Sequence, residues 1–238
     1  MHPVVRRSLL LLGGVGTAVS LGFVAGSAWL FPLLSAAVPY PFFVRDTRDG
    51  RYRAAVLWVL AWAVIQSVAV IAATLAFPER AADTVFRGAD YAREMLHWVA
   101  TGEGAESNPS QFLPLHARHF AAFCVLAMVS AGAGALALGA VLLNYMNVYV
   151  AELIRASESA WVPVLFGWPV WAVLRVVGFV TVGAALTGWF WNLTRGNPRG
   201  LPRAVLLTGL GLVVADALLK ALLAPAWQRL LQSGLEGR

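Results

Sequence analysis

Three ionisable side chains, Arg175, Asp216 and Lys220, stand inside long apolar runs of this sequence. Placing such a group in hydrocarbon costs about 2.5–3.5 kcal/mol on insertion scales, so each one requires a partner or a function. Asp216 and Lys220 are spaced i,i+4, and the simplest interpretation is an ion pair on one helix face. Such a pair would be purely structural.

A second interpretation assigns these side chains to a binding or transport site. Arg175 would reach across to Asp216 from a neighbouring helix, while Lys220 would extend its stem toward the lipid headgroups. Gln66 stands at a similar depth, about 18 Å along its own predicted helix at about 1.5 Å per residue. The predicted substrate site, or polar midplane cluster, then consists of Gln66, Arg175, Asp216 and Lys220. It could bind a solute or conduct protons.

His116 and His119 are one helical turn apart, a spacing that can present two ligands to a metal ion. No carboxylate follows within the next turns, so we expect no metal and no other cofactor. The sequence also has no Ser-His-Asp arrangement, phosphate-binding glycine loop or zinc-protease signature. We therefore expect that the chain is not an enzyme.

The composition indicates that these residues lie in a membrane. Of the 238 residues, 59% are hydrophobic and 13% are charged, against about 25% charged residues in soluble domains. The net charge of +6 comes mostly from arginines at the ends of apolar runs, where they can contact anionic lipid headgroups. They form no basic patch with interleaved aromatics, so we expect no nucleic-acid partner. The sequence predicts a single integral domain, residues 1–238, in the cell (inner) membrane.

Five apolar runs approach the length of about 20 residues that a membrane-crossing helix needs. The predicted fold class is therefore all-α, a polytopic transmembrane bundle. The region from Trp161 to Trp168 is aromatic and interrupted by proline, which indicates an interfacial or re-entrant segment before the fourth span. The predicted spans are 9–31, 54–77, 120–143, 169–191 and 204–223, with helical character after the third persisting to about Ile154.

The segment 79–113, between the second and third spans, is too polar to lie in lipid. Apolar residues recur in it at helical spacing, so it predicts a short amphipathic helix. This helix would lie either on the membrane surface or against its own protein, and the sequence leaves both open. The apolar positions are Val85, Ala89, Ala92, Leu96 and Val99.

Small residues on the predicted spans permit close contact between helices in lipid. We assign helix packing to Gly22, Gly26, Ser130, Gly134 and Gly139. Membrane lipids, other membrane proteins or a second copy of the chain are the expected partners.

The arginines give conflicting signals about orientation. The loop 39–53 carries four arginines and should be cytoplasmic by the positive-inside rule, which places the N-terminus outside. With five spans the connection 192–203 would then also lie outside, although it carries Arg195, Arg199 and Arg203.

One stretch resembles a known family. The spaced glycines from Gly132 that lead into an apolar turn and Asn144 are similar to the glycine-rich span of the stage II sporulation protein M family. Trp168, Pro169 and Ala172 stand where family members carry a His-Gly-x-x-Glu motif. The resemblance implies a non-enzymatic membrane partner that helps to assemble or localise other envelope proteins.

Two hypotheses of function follow. The first is a non-catalytic scaffold or assembly subunit of an envelope complex, and the second is a small permease or transporter subunit with a polar midplane site. Transport predicts that Gln66, Arg175 and Asp216 line a water-accessible cavity, whereas a scaffold predicts sealed side-chain pairs.

Overall fold

The computed structural model describes residues 2–196 and 200–235, so Arg199 lies outside the described residues. In this described part the chain has no β-strand, and the predicted all-α class is confirmed. A single 3-10 turn, Ala105–Ser107, precedes α7. The helices are α1 Pro3–Ala25, α2 Leu30–Ala37, α3 Tyr40–Arg48, α4 Tyr52–Ala76, α5 Pro78–Thr84, α6 Gly88–Thr101, α7 Pro109–Val129, α8 Ala133–Ala156, α9 Trp161–Phe166, α10 Val170–Thr194 and α11 Arg203–Leu235.

Six of these helical stretches are long and apolar enough to cross a membrane, so the chain is a multi-pass integral membrane protein. The stretches comprise α1, α4, α7, α8, the continuous run of α9 with α10, and α11. The sequence predicted about five, because it treated α7 and α8 as a single span. Its remaining spans correspond to α1, α4, α10 and α11.

The predicted span 120–143 is wrong because the chain reverses inside it. Ser130 ends α7, and Ala131 and Gly132 then adopt left-handed backbone angles, with φ of 51° and 87°. A Cβ on Gly132 would lie 2.6 Å from Cε1 of Phe43, so the tight turn requires glycine. The turn residues are small and apolar, so a hydropathy average passes over them. Helical character does continue beyond 154, since α8 ends at Ala156.

The helices α2 and α3 form an antiparallel return along α1 that the sequence analysis did not predict. A Cβ added at Gly22 would collide with the Phe31 ring, and one added at Gly14 would collide with the Val38 side chain. At the far end Arg7 Nη1 lies 2.7 Å from a carboxylate oxygen of Asp46. The seventeen helical residues of α2 and α3 rise about 26 Å at about 1.5 Å each. This length nearly equals the roughly 30 Å hydrocarbon core, so α2 and α3 together cross the bundle once more.

The bundle therefore has two distinct ends. At one, which we call the arginine end, Arg7 and Arg51 both pair with Asp46, and Arg48 and Arg195 both stack on Trp191. The N-terminus, the loop 39–53 and the end of α10 thus lie together. The expectation that the N-terminus and this loop lie on opposite sides is wrong, because α2 and α3 return the chain between them. The opposite end, the cap end, carries α5, α6, the 3-10 turn and α9.

The amphipathic helix predicted in 79–113 is α6, and its apolar face packs on its own protein. Ala92, Met95, Trp98 and Val99 are buried where α6 contacts α8 and α11. The sequence left open whether this helix lies on the membrane surface or against its own protein, and in the structure it lies against its own protein. The segment does not remain outside the bundle throughout, because α7 begins within it at Pro109, capped by the Asn108 side chain.

The re-entrant segment predicted near 161–168 contains the short helix α9, which packs against α8 and α11. The Trp227 indole N–H donates to the carbonyl oxygen of Phe166 at 2.9 Å.

The small residues assigned to helix packing have different roles. Gly22 gives α1 its close contact with Phe31 of α2, whereas Gly26 ends α1 with φ +58°. The Ser130 hydroxyl accepts a hydrogen bond from the Gly134 N–H at 2.7 Å and thereby holds the α7–α8 turn. Gly139 faces Phe123 across a gap and lines an internal cavity.

Candidate functional site

The first buried ion pair joins α10 to α11. The Arg175 Nε and Nη2 groups each donate to Asp216 at 2.9 Å, in a two-point contact. The two helices approach closely at the neighbouring glycines, since a Cβ on Gly178 would lie 3.1 Å from the Gly209 carbonyl oxygen. The predicted contact of Arg175 with Asp216 is confirmed. Two parallel N–H···O contacts of this kind form a charge-assisted pair between α10 and α11, in contrast to the Asp216–Lys220 pair expected along one helix face.

Lys220 forms a second ion pair with a residue that the sequence analysis did not single out. Its Nζ lies 2.7 Å from Oε1 of Glu106, in the 3-10 turn, and 4.5 Å from the ring centroid of Phe112. The side chain is fully buried, so the expectation that it extends to the headgroups is wrong. The i,i+4 pair with Asp216 is wrong as well, because Lys220 turns to Glu106. The sequence did contain a hint of this partner. The charges of Arg175, Asp216 and Lys220 sum to +1, so one more buried acid is needed to balance them.

The two histidines lie beside the first ion pair. His116 Nδ1 is 4.0 Å from a carboxylate oxygen of Asp216, and both rings line the internal cavity. Among residues 2–196 and 200–235, no group of three or more His, Cys, Asp or Glu side chains could hold a metal ion.

Gln66 belongs to a different polar group from the other predicted residues. Its side-chain nitrogen donates to the Ser35 hydroxyl at 3.0 Å and to the Asn144 side-chain oxygen at 3.3 Å. All three side chains are buried, and they come from α4, α2 and α8. The sequence could not bring them together, because α2 was not predicted.

A partly enclosed cavity of about 90 Å³ lies between α4, α7, α8 and α10. Of the four residues predicted to form a midplane cluster, only Arg175 lines it. Gln66, Asp216 and Lys220 do not line it, and each contacts another side chain of the bundle. The side chains with polar atoms at its wall are Arg175, His116, His119, Tyr145 and the indoles of Trp62 and Trp168, and the other lining residues are apolar.

The cap end covers this region with aromatic side chains. Tyr91 of α6 stacks on Tyr145, with ring centroids 4.3 Å apart, and its hydroxyl contacts the Met146 sulfur at 2.8 Å. Burial raises the pKa of the Tyr91 phenol well above its ordinary value, so it stays protonated at neutral pH.

The chain matches no protein-family model, no curated protein and no solved structure. The resemblance between the segment 132–147 and the stage II sporulation protein M family thus stays a prediction.

Proposed function

We propose that this membrane protein is a non-catalytic scaffold or assembly subunit of an envelope complex in the cell (inner) membrane. The observation that carries the proposal is the pairing of the charges at depth. Arg175 binds Asp216, and Lys220 binds Glu106, so each cation is neutralised inside the chain. Charges held in this way supply internal cohesion and need no charged solute to balance them.

The arrangement of the polar groups also argues against passage of a hydrophilic solute. A polar path needs side chains that follow one another from end to end of the bundle. Gln66 instead forms hydrogen bonds with Ser35 and Asn144, away from the cavity. Most of the side chains that line the cavity beside Arg175 are apolar, and the polar groups among them are histidine, tyrosine and tryptophan side chains.

The outer face of α6 is the surface best suited to a protein partner. Arg93 and Glu94 are exposed on it, with side-chain exposures of 77% and 63%. They pair only with other exposed charges, Asp90 and Arg87, which contribute little to stability and can be exchanged for contacts with a partner. The family resemblance would imply the same kind of role, assembly or localisation of envelope proteins.

Affinity isolation in mild detergent, combined with charge reversal on α6, tests this proposal. A defined partner, or a second copy of the chain, should copurify with the wild-type protein and be lost from the Arg93→Glu, Glu94→Arg variant. Arg155→Glu, which changes an exposed charge on α8, is the matched control and should retain the partner. Purification of a lone monomer after crosslinking in the membrane would contradict the proposal.

A small permease is the second candidate, and one observation favours it. Arg175, His116 and His119 come from two helices and line the same cavity, so polar groups do converge there. Uptake of a solute by proteoliposomes, abolished in Arg175→Met, would support this alternative against the scaffold.

The arginine end should face the cytoplasm by the positive-inside rule. Eight arginines of the described residues lie at this end: Arg6, Arg7, Arg45, Arg48, Arg51, Arg53, Arg195 and Arg203. Five arginines lie at or beside the cap end, namely Arg80, Arg87, Arg93, Arg155 and Arg229, so the bias is eight against five.

A further inference from the structure

The internal cavity is a narrow cleft parallel to the helices. On α10 it extends from Gly183 to Ala172, about 16 Å at 1.5 Å per residue, with Arg175 one turn from the Ala172 end. On α8 it extends from Ala135 to Met146, about 16 Å. Its volume of about 90 Å³ is below the roughly 150 Å³ of an apolar cavity that holds benzene. A volume this small, spread along about 16 Å of helix, describes a narrow slot, whose shape suits an unbranched aliphatic chain better than a ring system.

The wall of the cleft presents hydrogen-bond donors that the protein does not use. Arg175 binds Asp216 through Nε and Nη2, and neither bond uses the two N–H groups on Nη1. The buried indole nitrogen of Trp62 and Nδ1 of His116 have no hydrogen-bond partner. Guanidinium and indole groups can only donate, so the missing partner is an acceptor oxygen.

The charges already present do not demand a counterion. Arg175 and Lys220 are balanced by Asp216 and Glu106, so the region is neutral before anything binds. What the cleft offers is therefore hydrogen bonding to oxygen at part of its wall and apolar contact along the remainder. A lipid with an oxygenated head group has this combination.

The cleft adjoins the lipid-facing surface. A depression of about 740 Å³ between α4, α8, α9 and α10 shares Ala63, Leu143, Trp168 and Val176 with the cleft. Its outer wall is apolar and exposed, as at Val64 and Val68, each 65% exposed. The residues between the depression and the cleft carry no charge, so a chain that passes between them from the bilayer meets no charged side chain.

We propose that the cleft between α4, α7, α8 and α10 binds one aliphatic chain of a membrane lipid, whose head-group oxygen accepts hydrogen bonds from Arg175 Nη1. A fatty acid and a phospholipid share this chemistry. The site is separate from the outer face of α6 and does not depend on the scaffold proposal.

Filling the cleft at Gly139 tests the proposal. A Cβ there would find its nearest neighbour, Cε2 of Phe123, at 3.8 Å, so Gly139→Leu can occupy the cleft without displacing backbone. Gly16→Leu is the matched control, since Gly16 is also a helical glycine in a span and has nothing within 4 Å. The probe is palmitate carrying a photoreactive diazirine near its methyl end, added to detergent-purified, delipidated protein. Mass spectrometry locates the crosslinks.

Wild type and Gly16→Leu should be labelled on α8 and α10, and Gly139→Leu should lose labelling by at least about tenfold, one decade in affinity. Competition by unlabelled palmitate alone identifies a fatty acid, and competition by phosphatidylglycerol identifies a phospholipid chain. If thermal unfolding reveals that Gly139→Leu is misfolded, Gly139→Val provides a smaller plug. Equal labelling of the folded plugged variant and wild type, or crosslinks confined to lipid-facing side chains, would overturn the proposal.

Discussion

Removing the carboxylate of Asp216 should destabilise the protein strongly, because Arg175 would keep a charge with no partner. Asp216 accepts two bonds at 2.9 Å and is 2% exposed, while the Arg175 side chain is 22% exposed toward the cavity. Breaking a buried pair from one side costs about 3–5 kcal/mol. The partial exposure of Arg175 places Asp216→Ala at the lower limit, about 3 kcal/mol, or about two decades in the folding equilibrium.

Replacing both partners should restore most of the loss, since apolar residues of similar volume substitute for buried ion pairs at little net cost. We expect Arg175→Met, Asp216→Leu to lie within about 1 kcal/mol of wild type. The assay is unfolding in mixed micelles with increasing SDS, followed by tryptophan fluorescence and circular dichroism. Asp90→Ala, which removes a carboxylate 56% exposed, is the control and should cost less than about 1 kcal/mol.

Two results would refute this reasoning. If Asp216→Ala loses no more stability than Asp90→Ala, the buried guanidinium has found another partner or water. If the double variant is as unstable as the single one, the stabilisation comes from packing around Asp216 and not from its charge.

Three further predictions concern other parts of the bundle. Glu106→Gln should destabilise the protein in the same assay because it leaves Lys220 buried as a cation, and adding Lys220→Met should restore stability. Gly132→Ala should cost at least about 1 kcal/mol, since its φ of +87° is strained for any residue with a Cβ; unchanged unfolding would contradict the turn. In intact cells expressing a variant that lacks the native cysteine, a membrane-impermeant thiol reagent should label Glu103→Cys and spare Asp49→Cys, and the reverse pattern would invert the orientation.

Much of the fold followed from apolar run length, but the two features missed have a common physical cause. Hydropathy averaging identifies long runs and is blind to chain reversal within them, so the turn at Gly132 was hidden among small apolar residues. It also rejects short helices. The return formed by α2 and α3 is divided near Pro39 into pieces of eight and nine residues, each too short to cross a membrane alone.

The part of the candidate site that lies inside membrane-crossing helices was predictable, because burying a charge in hydrocarbon is costly. The part supplied by a loop was not predictable. Arg175 and Asp216 are costly in hydrocarbon wherever their helices pack, which made their pairing a sound expectation. Glu106 lies in a polar, glycine-containing segment that looks like any solvent-exposed loop. Only the folded chain brings it to Lys220, since α6 carries the loop across the cap end.

The orientation and the lipid site are linked through depth. Arg175 is sixteen residues from Trp191, which stacks with arginines at the arginine end, and at about 1.5 Å per residue this separation is about 24 Å. In a hydrocarbon core of about 30 Å, Arg175 then lies in the half nearer the cap end. If the arginine end faces the cytoplasm, the donors of the cleft are level with the outer leaflet. A lipid would therefore be drawn from that leaflet, with its chain extending along α8 and α10 toward the cytoplasmic side.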